Sequence, residues 1–395
     1  MPAPKVKEAE TPKKVIVYRK ELLRVSETFI MAQVQSYQRW QPVLFGERIW
    51  PGGLSLDGID SRTLMDARPT LVQRIVGKAR QTAGVAPAFV MRKFRAAGAN
   101  LLHAYFGHDG LLAWPYARNL NVPLVVTLHG RDVDIRKEVY WSGERGFWQK
   151  SYPNRFAVMA RQRSVHFIAV SKALLQAAID FGVPKDRMVV CYTGIDVRQF
   201  QPGPKAITER PRRIVFVGRL VEGKGCAYLI EAFQEIARCV PDSELVVIGD
   251  GPSKGALEAL ARKLNVRVEF LGSVTQDVLK RHLDESRVLC LPSITMSNGN
   301  FESFGMVLLE AQACGVPVVT SARGGMEGVA DGVTGFVFPE KDVGTLIGRI
   351  CDILRNDELA SRMSRAGPGF VRQHFDIVNC TKKIEDLYDH ILSDA

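Results

Sequence analysis

Ile214-Val215-Phe216-Val217-Gly218-Arg219-Leu220-Val221-Glu222-Gly223-Lys224-Gly225 is the stretch on which the fold class turns. Its first four residues are apolar and mostly β-branched, the composition of a short buried strand. A glycine-rich turn follows, and from about Cys226 to Cys239 the apolar residues return at helical spacing. Strand, glycine turn and helix form the repeating unit of a parallel α/β sheet. Glycines let a backbone approach a pyrophosphate, and a helix N-terminus favours anions. Arg219 and Lys224 would add positive charge where a leaving diphosphate gathers negative charge. The glycine and lysine spacing is not that of a Walker loop. Taken alone, Arg219 and Lys224 read equally well as solvated loop charges.

Outward from this stretch the same alternation continues. After it, strand-like runs occur at Glu244–Ile248, Val268–Phe270, Val288–Leu291, Val316–Thr320 and Gly335–Phe338. Before it they occur at Val15–Tyr18, Val43–Phe45, Asn100–Tyr105, Leu124–Leu128, His166–Val170 and Met188–Cys191. Strands alternating with helical segments predict parallel sheets in both halves. Proline, glycine and charge interrupt both periodicities from Gln201 to Pro211, which sets a linker at 201–212. The expected domains are therefore 1–200 and 213–369, with a helical segment over 370–395. A chain of 395 residues is comfortable for two cores. Ligand-binding turns at the carboxyl ends of parallel strands imply a cleft.

A second constellation lies at Glu302-Ser303-Phe304-Gly305-Met306, with Glu310 eight residues beyond Glu302. The pattern predicts a loop, a helix from Gly305 to Ala313, a stop at Gly315 and a strand after Pro317. At about 100° per residue, an eight-residue step within a helix would not aim both carboxylates alike. With Glu302 in the preceding loop, the two would touch different parts of one elongated ligand.

The turn with Arg219 and Lys224, the pair Glu302 and Glu310, Gly249-Asp250-Gly251-Pro252, the segment Glu310–Val319 and Asp331-Gly332-Val333-Thr334-Gly335 together resemble the family 4 retaining glycosyltransferases. They come in that family's order and cover nearly all of the second half. Thr127-Leu128-His129-Gly130, Val170-Ser171-Lys172 and Thr193-Gly194-Ile195-Asp196 carry a looser likeness in the first half. Ser26-Glu27-Thr28-Phe29 and His103-Ala104-Tyr105-Phe106-Gly107 are similar to the branch that builds bacterial exopolysaccharide and colanic-acid repeat units.

The resemblance implies the α/β glycosyltransferase B fold, two Rossmann-like domains with parallel sheets facing a central cleft, and a C-terminal helix within 370–395 that crosses back to the N-terminal domain. It also implies a hexosyl transfer from a UDP- or GDP-linked sugar to a lipid-linked or oligosaccharide acceptor. Glu310 would bind ribose hydroxyls and Glu302 the donor sugar. Gly218, Arg219, Lys224, Gly249 and Ser303 to Met306 would line the donor site, and His129 would sit near the reaction centre. Arg219 and Lys224 would neutralise the departing diphosphate, helped by backbone amides where the helix begins. Where many relatives have a glycine-rich loop after the first strand, this chain has Ser26, Glu27 and Thr28, expected with Asp132 on the acceptor side. Met326 stands before Glu327, where relatives usually show proline.

Asp132-Val133-Asp134 spells an Asp-x-Asp, a metal-binding pattern in the other glycosyltransferase fold. Here it is far in sequence from the pyrophosphate turn, so the expectation is an enzyme needing neither metal nor cofactor. Seven dispersed cysteines without a Cys-x-x-Cys pair read as reduced core thiols. No run reaches the roughly eighteen apolar residues of a membrane span, and the polar start is not a signal peptide, so a cytoplasmic location is expected.

Charge is unevenly divided. Residues 1–205 hold 31 Lys plus Arg against 16 Asp plus Glu, and the remainder 22 against 26. A basic half can meet nucleic acid, anionic lipid or an acidic substrate. Arg74, Lys78, Arg80, Arg92, Lys93 and Arg95 lie among Leu71, Val72, Ile75, Val76, Phe89, Val90, Met91 and Phe94. This reads as an interfacial segment on the inner face of the cytoplasmic membrane, or as an ordinary sheet-covering helix with a basic rim. The stretch 136–163, with Trp141, Phe147, Trp148, Tyr152 and Phe156, reads as a second contact, an acceptor lid or simple packing. Nucleic-acid binding finds no recognition motif. A nucleotide-sugar epimerase or a phosphorylase of the same architecture is the nearer rival, the latter needing a pyridoxal cofactor for which the sequence gives no basis.

Overall fold

The computed structural model describes residues 12–65, 70, 86–144, 146, 149–321 and 323–394. The chain forms two compact units. One comprises Met1–Thr127, Val158–His166 and Thr381–Ala395, the other Leu128–Ala157 and Phe167–Cys380. The break expected at 201–212 falls inside the second unit, where Ile207–Glu209 makes a single 3-10 turn.

In chain order the strands are β1 (Lys13–Tyr18), β2 (Glu21–Leu22), β3 (Trp40–Gly46), β4 (Arg48–Ile49), β5 (Ser61–Thr63), β6 (Leu101–Tyr105), β7 (Leu124–Leu128), β8 (Val165–Ala169) and β9 (Met188–Val190). They continue with β10 (Arg213–Val217), β11 (Glu244–Ile248), β12 (Val268–Gly272), β13 (Val288–Leu291), β14 (Val318–Thr320) and β15 (Gly335–Val337).

In the first unit β5, β3, β1, β6 and β7 lie side by side in that order, all parallel. β1 is central, and Val15, Ile16, Val17 and Tyr18 are fully buried, as expected of an apolar strand covered on both faces. Helix Ala88–Ala97 contributes Val90, Met91, Phe94 and Ala97 to this core. Phe94 stacks on Tyr116 at 4.5 Å and packs against Phe45 at 4.8 Å. The apolar face of this part of the expected interfacial segment is thus spent on the core, while Arg92 and Arg95 are exposed. Leu71, Val72, Arg74, Ile75, Val76, Lys78 and Arg80 lie outside the described residues, as do Phe147 and Trp148.

The same unit is closed by the end of the chain. Glu385 is fully buried, and its Oε1 accepts from the backbone N–H groups of Gln38, Arg39 and Trp40 at 2.9, 2.7 and 2.9 Å. Tyr388 adds hydroxyl contacts to Tyr37 and His103.

In the second unit the sheet order is β12-β11-β10-β13-β14-β15, again wholly parallel. Helix Cys226–Cys239 turns Leu229, Ile230, Phe233 and Ile236 inward, the i, i+1, i+4, i+7 pattern of a core-facing stripe. Each such side chain, fully buried, contributes about 1.5–3 kcal/mol relative to exposure.

The C-terminal helical region divides into Asp357–Phe375 and Ile377–Ser393. Asp376 between them is extended and bridges Ile195: Ile195 N–H donates to Phe375 O, and Ile377 N–H to Ile195 O, both at 2.9 Å. That tertiary pairing ends one helix and starts the next, which helical periodicity alone does not reveal. No helix among the described residues is long and apolar enough to cross a membrane.

Candidate active site

Three loops of the second unit carry most of the expected donor residues. The first follows β10. Gly218 N–H closes on Ile248 O at 3.0 Å, Leu220 N–H on Asp250 O at 2.9 Å and Gly249 N–H on Gly272 O at 2.8 Å, so the turns after β10, β11 and β12 are sewn together. Gly249, at φ +137, lies so close to Gly218 O that a Cβ there would overlap it. A glycine is required for that approach. Arg219 is exposed and makes no ion pair with a described residue. Glu222–Lys224 form one 3-10 turn that delivers Lys224 to the next loop.

The second loop precedes helix Met306–Ala313. Glu302 lies in it, outside the helix, and its Oε2 receives both the Lys224 ammonium and the Ser293 hydroxyl, the latter at 3.1 Å. The Glu302 side chain is 10% exposed and that of Lys224 is 29% exposed, which leaves the pair reachable. At the helix start, the amides of Gly305, Met306 and Val307 donate to no described group. Such orphan N–H groups, with the helix dipole behind them, are an anion site in waiting. Glu310 is one turn further along, half-buried between Leu309 and Ala311. Burial lifts its carboxyl to about 7.

The third loop follows β7. Asp132 is buried and its Oδ2 accepts from His129 N–H at 3.0 Å, which helps order the turn through its backbone. Ser303 Oγ donates to His129 O at 2.9 Å. Gly130, at φ +114, has no room for a Cβ beside that hydroxyl. The structure therefore brings His129, Glu302, Ser303 and Lys224 into one neighbourhood.

Ser26, Glu27 and Thr28 belong to the first unit. Glu27 is buried, pairs with Arg19 and accepts from Arg24 N–H at 3.1 Å. Thr28 begins helix Thr28–Gln35, and Ser26 is exposed just before it. In the 136–163 stretch, Tyr140 stacks on Tyr152 at 5.1 Å, and Phe156 packs on Phe167 and Phe181 at 5.6 and 5.8 Å. Among the described aromatics there, Trp141 is the exposed one, at 47%.

Sequence reasoning left three contributors unassigned. Ser293 sits just past the carboxyl end of β13, where sheets of this kind present ligand groups, and that position was its available signal. Glu327 accepts from the N–H groups of Lys172 and Ala173 at 2.6 and 3.3 Å and from the Tyr192 hydroxyl at 2.8 Å. Burial, and then the Glu327 carboxylate, raise the Tyr192 phenol well above its usual range. Tyr192 in turn stacks on Phe304 at 5.6 Å. Asp134 is the third. No sequence signal marks these long-range pairings.

Two family descriptions together match most of the chain: "Glycosyl transferases group 1" over residues 197–370 and "Glycosyltransferase Family 4" over residues 62–199. The chain belongs to the family 4 glycosyltransferases. Among curated relatives, an amylovoran biosynthesis glycosyltransferase of Erwinia amylovora is 29% identical over 66% of this chain and 62% of its own length. A putative colanic acid biosynthesis glycosyltransferase of Escherichia coli is 28% identical over 68% of this chain and 65% of its own. A GDP-mannose-dependent phosphatidylinositol monomannoside mannosyltransferase of Mycolicibacterium smegmatis is 36% identical over 44% and 49%. The chain thus spans between about half and two thirds of the length of these relatives.

Among solved structures, the Anabaena protein HepE in complex with UDP superposes with a TM-score of 0.76 at 20% identity, covering 96% of this chain and 100% of the other. Sucrose-phosphate synthase from Thermosynechococcus elongatus gives 0.75 at 19%, covering 97% and 100%. At that identity they establish the fold, which is the glycosyltransferase B type with parallel sheets in two domains.

Proposed function

We propose that this family 4 glycosyltransferase moves a hexose-type sugar, with retention, from a UDP- or GDP-linked donor to a glycan acceptor. In this reading the acceptor is a lipid-linked intermediate of exopolysaccharide or lipopolysaccharide synthesis. One observation carries the reading: the Lys224–Glu302 pair stands in a loop whose next residues offer unpartnered amides at a helix N-terminus. A sugar hydroxyl can donate to Glu302, while Lys224, the exposed Arg219 and those amides receive the diphosphate. Two cations and a helix dipole directed at one developing charge supply the electrostatic stabilisation that such a departure needs. His129, beside Ser303, is assigned to the sugar near the bond that breaks, and Glu310 to the ribose.

The names of the relatives support a glycan acceptor and divide on the base: one mannosyltransferase is GDP-mannose-dependent, whereas HepE is described with UDP. The exopolysaccharide assignment rests on the amylovoran and colanic-acid relatives. The proposal includes work without a metal, because Arg219 and Lys224 do the neutralising. It also includes a peripheral place on the inner face of the cytoplasmic membrane, held by exposed cations such as Arg92 and Arg95 rather than by the buried face of helix Ala88–Ala97. The first unit, with Ser26 and Thr28, is assigned to the acceptor.

A panel of nucleotide sugars, scored for acceptor-dependent release of nucleoside diphosphate and for the anomeric configuration of the product, tests the reading. Retained configuration with UDP or GDP released is expected. Conversion of the nucleotide sugar without any acceptor would favour the epimerase. Complete loss in EDTA with rescue by manganese would remove the metal-free part.

A further inference from the structure

Asp134 is a buried carboxylate of the second unit that this mechanism leaves unused, and it lies where two site loops meet. Its Oδ2 accepts from Asn300 Nδ2 at 2.7 Å and from Phe301 N–H at 3.4 Å. On either side of that contact the same two segments meet again: Arg136 N–H donates to Asn298 O at 2.9 Å, and Ser303 Oγ donates to His129 O at 2.9 Å. The turn His129–Arg136 and the loop Asn298–Ser303 are therefore laced together along their length. His129 is at one end of the lacing, and Glu302 is one residue from the Phe301 amide.

We infer that Asp134, through Asn300 and the Phe301 amide, is a positioning residue that fixes the Glu302 loop relative to His129. The inference rests on the reading above, in which those two side chains serve one sugar. Three features separate it from ordinary packing. Asp134 is 7% exposed, yet its Oδ1 finds no hydrogen-bond partner. An oxygen buried without a partner costs stability, and burial pushes the carboxyl up to about 7. A residue kept only for stability would not need to be an acid here. The partners are a side-chain amide and a backbone amide of the loop bearing Glu302, so the contact fixes that loop's backbone and not merely its side chains. Finally, Phe301 is buried and Arg323 lies over its ring at 5.0 Å, so the held segment cannot shift without disturbing a packed core.

A loop displaced by an ångström loses turnover without losing its ligand groups. Asp134→Ala and Asn300→Ala are therefore expected to lower kcat by about tenfold to a hundredfold while the donor KM changes much less. Asp134→Asn keeps a carbonyl acceptor in place of Oδ2 and is expected to recover most of the lost rate. Because the two residues act through one contact, the double variant Asp134→Ala with Asn300→Ala should be little worse than either single one. Circular dichroism and thermal melting check that each variant is folded. Wild-type kcat in both alanine variants overturns the inference, as does full additivity in the double variant, or an Asp134→Asn as slow as Asp134→Ala. A wild-type protein that turns over no nucleotide sugar in the panel fails the functional reading instead, and the two failures are distinct.

Discussion

Glu302 and Glu27 are both glutamates in ionic clusters after parallel strands, and their oxygens are engaged in different ways. Glu302 meets Lys224 and the Ser293 hydroxyl through Oε2 alone, leaving Oε1 available. Glu27 sits with Arg19 and Asp109 in a buried triad, one oxygen on the Arg19 guanidinium and the other on Arg24 N–H. Asp109 is likewise engaged, by Arg19 and by Lys20 N–H at 3.0 Å. Charge next to a carboxylate therefore does not distinguish a binding group from a structural one. What distinguishes them is whether an acceptor oxygen is left over and whether anything can reach it.

Replacing the shared cation of the buried triad breaks the comparison hardest. Arg19→Met leaves the Glu27 and Asp109 carboxyls together under cover, and removing one partner from a buried ionic cluster costs about 3–5 kcal/mol. Urea unfolding of the whole chain should show a loss of that size in the first transition. Burial already outweighs Arg19 in setting Asp109, whose carboxyl is raised from its usual range, so the loss should shrink on acidification. A change below about 1 kcal/mol, typical of exposed pairs, would mean that the triad is not the anchor its burial suggests.

The cluster around Glu302 should respond in rate instead. Glu302→Gln and Lys224→Ala are expected to lower kcat by about 10²–10³, the usual effect of deleting one group that stabilises developing charge, with melting temperatures nearly unchanged. Glu27→Gln sharpens the contrast: it should lower the melting temperature and leave turnover per folded molecule near wild type. If Glu27→Gln instead raised the acceptor KM at unchanged stability, Glu27 would belong with Glu302.

This contrast also marks what the chain discloses before it is folded. β11 and β13 coincide with their expected ranges and β7 does too, because short, nearly continuous apolar runs bounded by turn signals have few alternatives. Glu302, Lys224 and the helix mouth were visible for the same reason, each lying within a few residues of a glycine turn. The ribbon of β2 and β4, two residues each, and the short edge strand β5 gave no periodicity to read. Nor could spacing show that Asp134 reaches Asn300, 166 positions away, or that Glu27 is consumed by Arg19. Local pattern places backbone turns, whereas side-chain commitments are set by tertiary neighbours distant in sequence.

The smallest effect separates the two members of the proposed donor pair. Glu302 has a lysine beside it, whereas burial alone lifts Glu310 from its ordinary 4.5 to about 7. Between those values the folded chain holds a proton that the unfolded chain has released, so this group's contribution to stability falls as pH rises through that window and is flat above it. Glu310→Gln removes the dependence. Its melting temperature should match wild type near pH 4.5, draw ahead as pH rises, and keep a constant lead above neutrality. Asp134 titrates in both proteins and cancels from the difference. In the proposed role of Glu310, ribose hydroxyls would donate to the ionised carboxylate, so the wild-type donor KM should improve a few-fold as pH rises past about 7, and the variant's should stay high and flat. A melting-temperature gap that does not vary with pH would show that Glu310 titrates like an exposed glutamate. The pair Glu302 and Glu310 would then differ only in their neighbours and not in how tightly the fold encloses them.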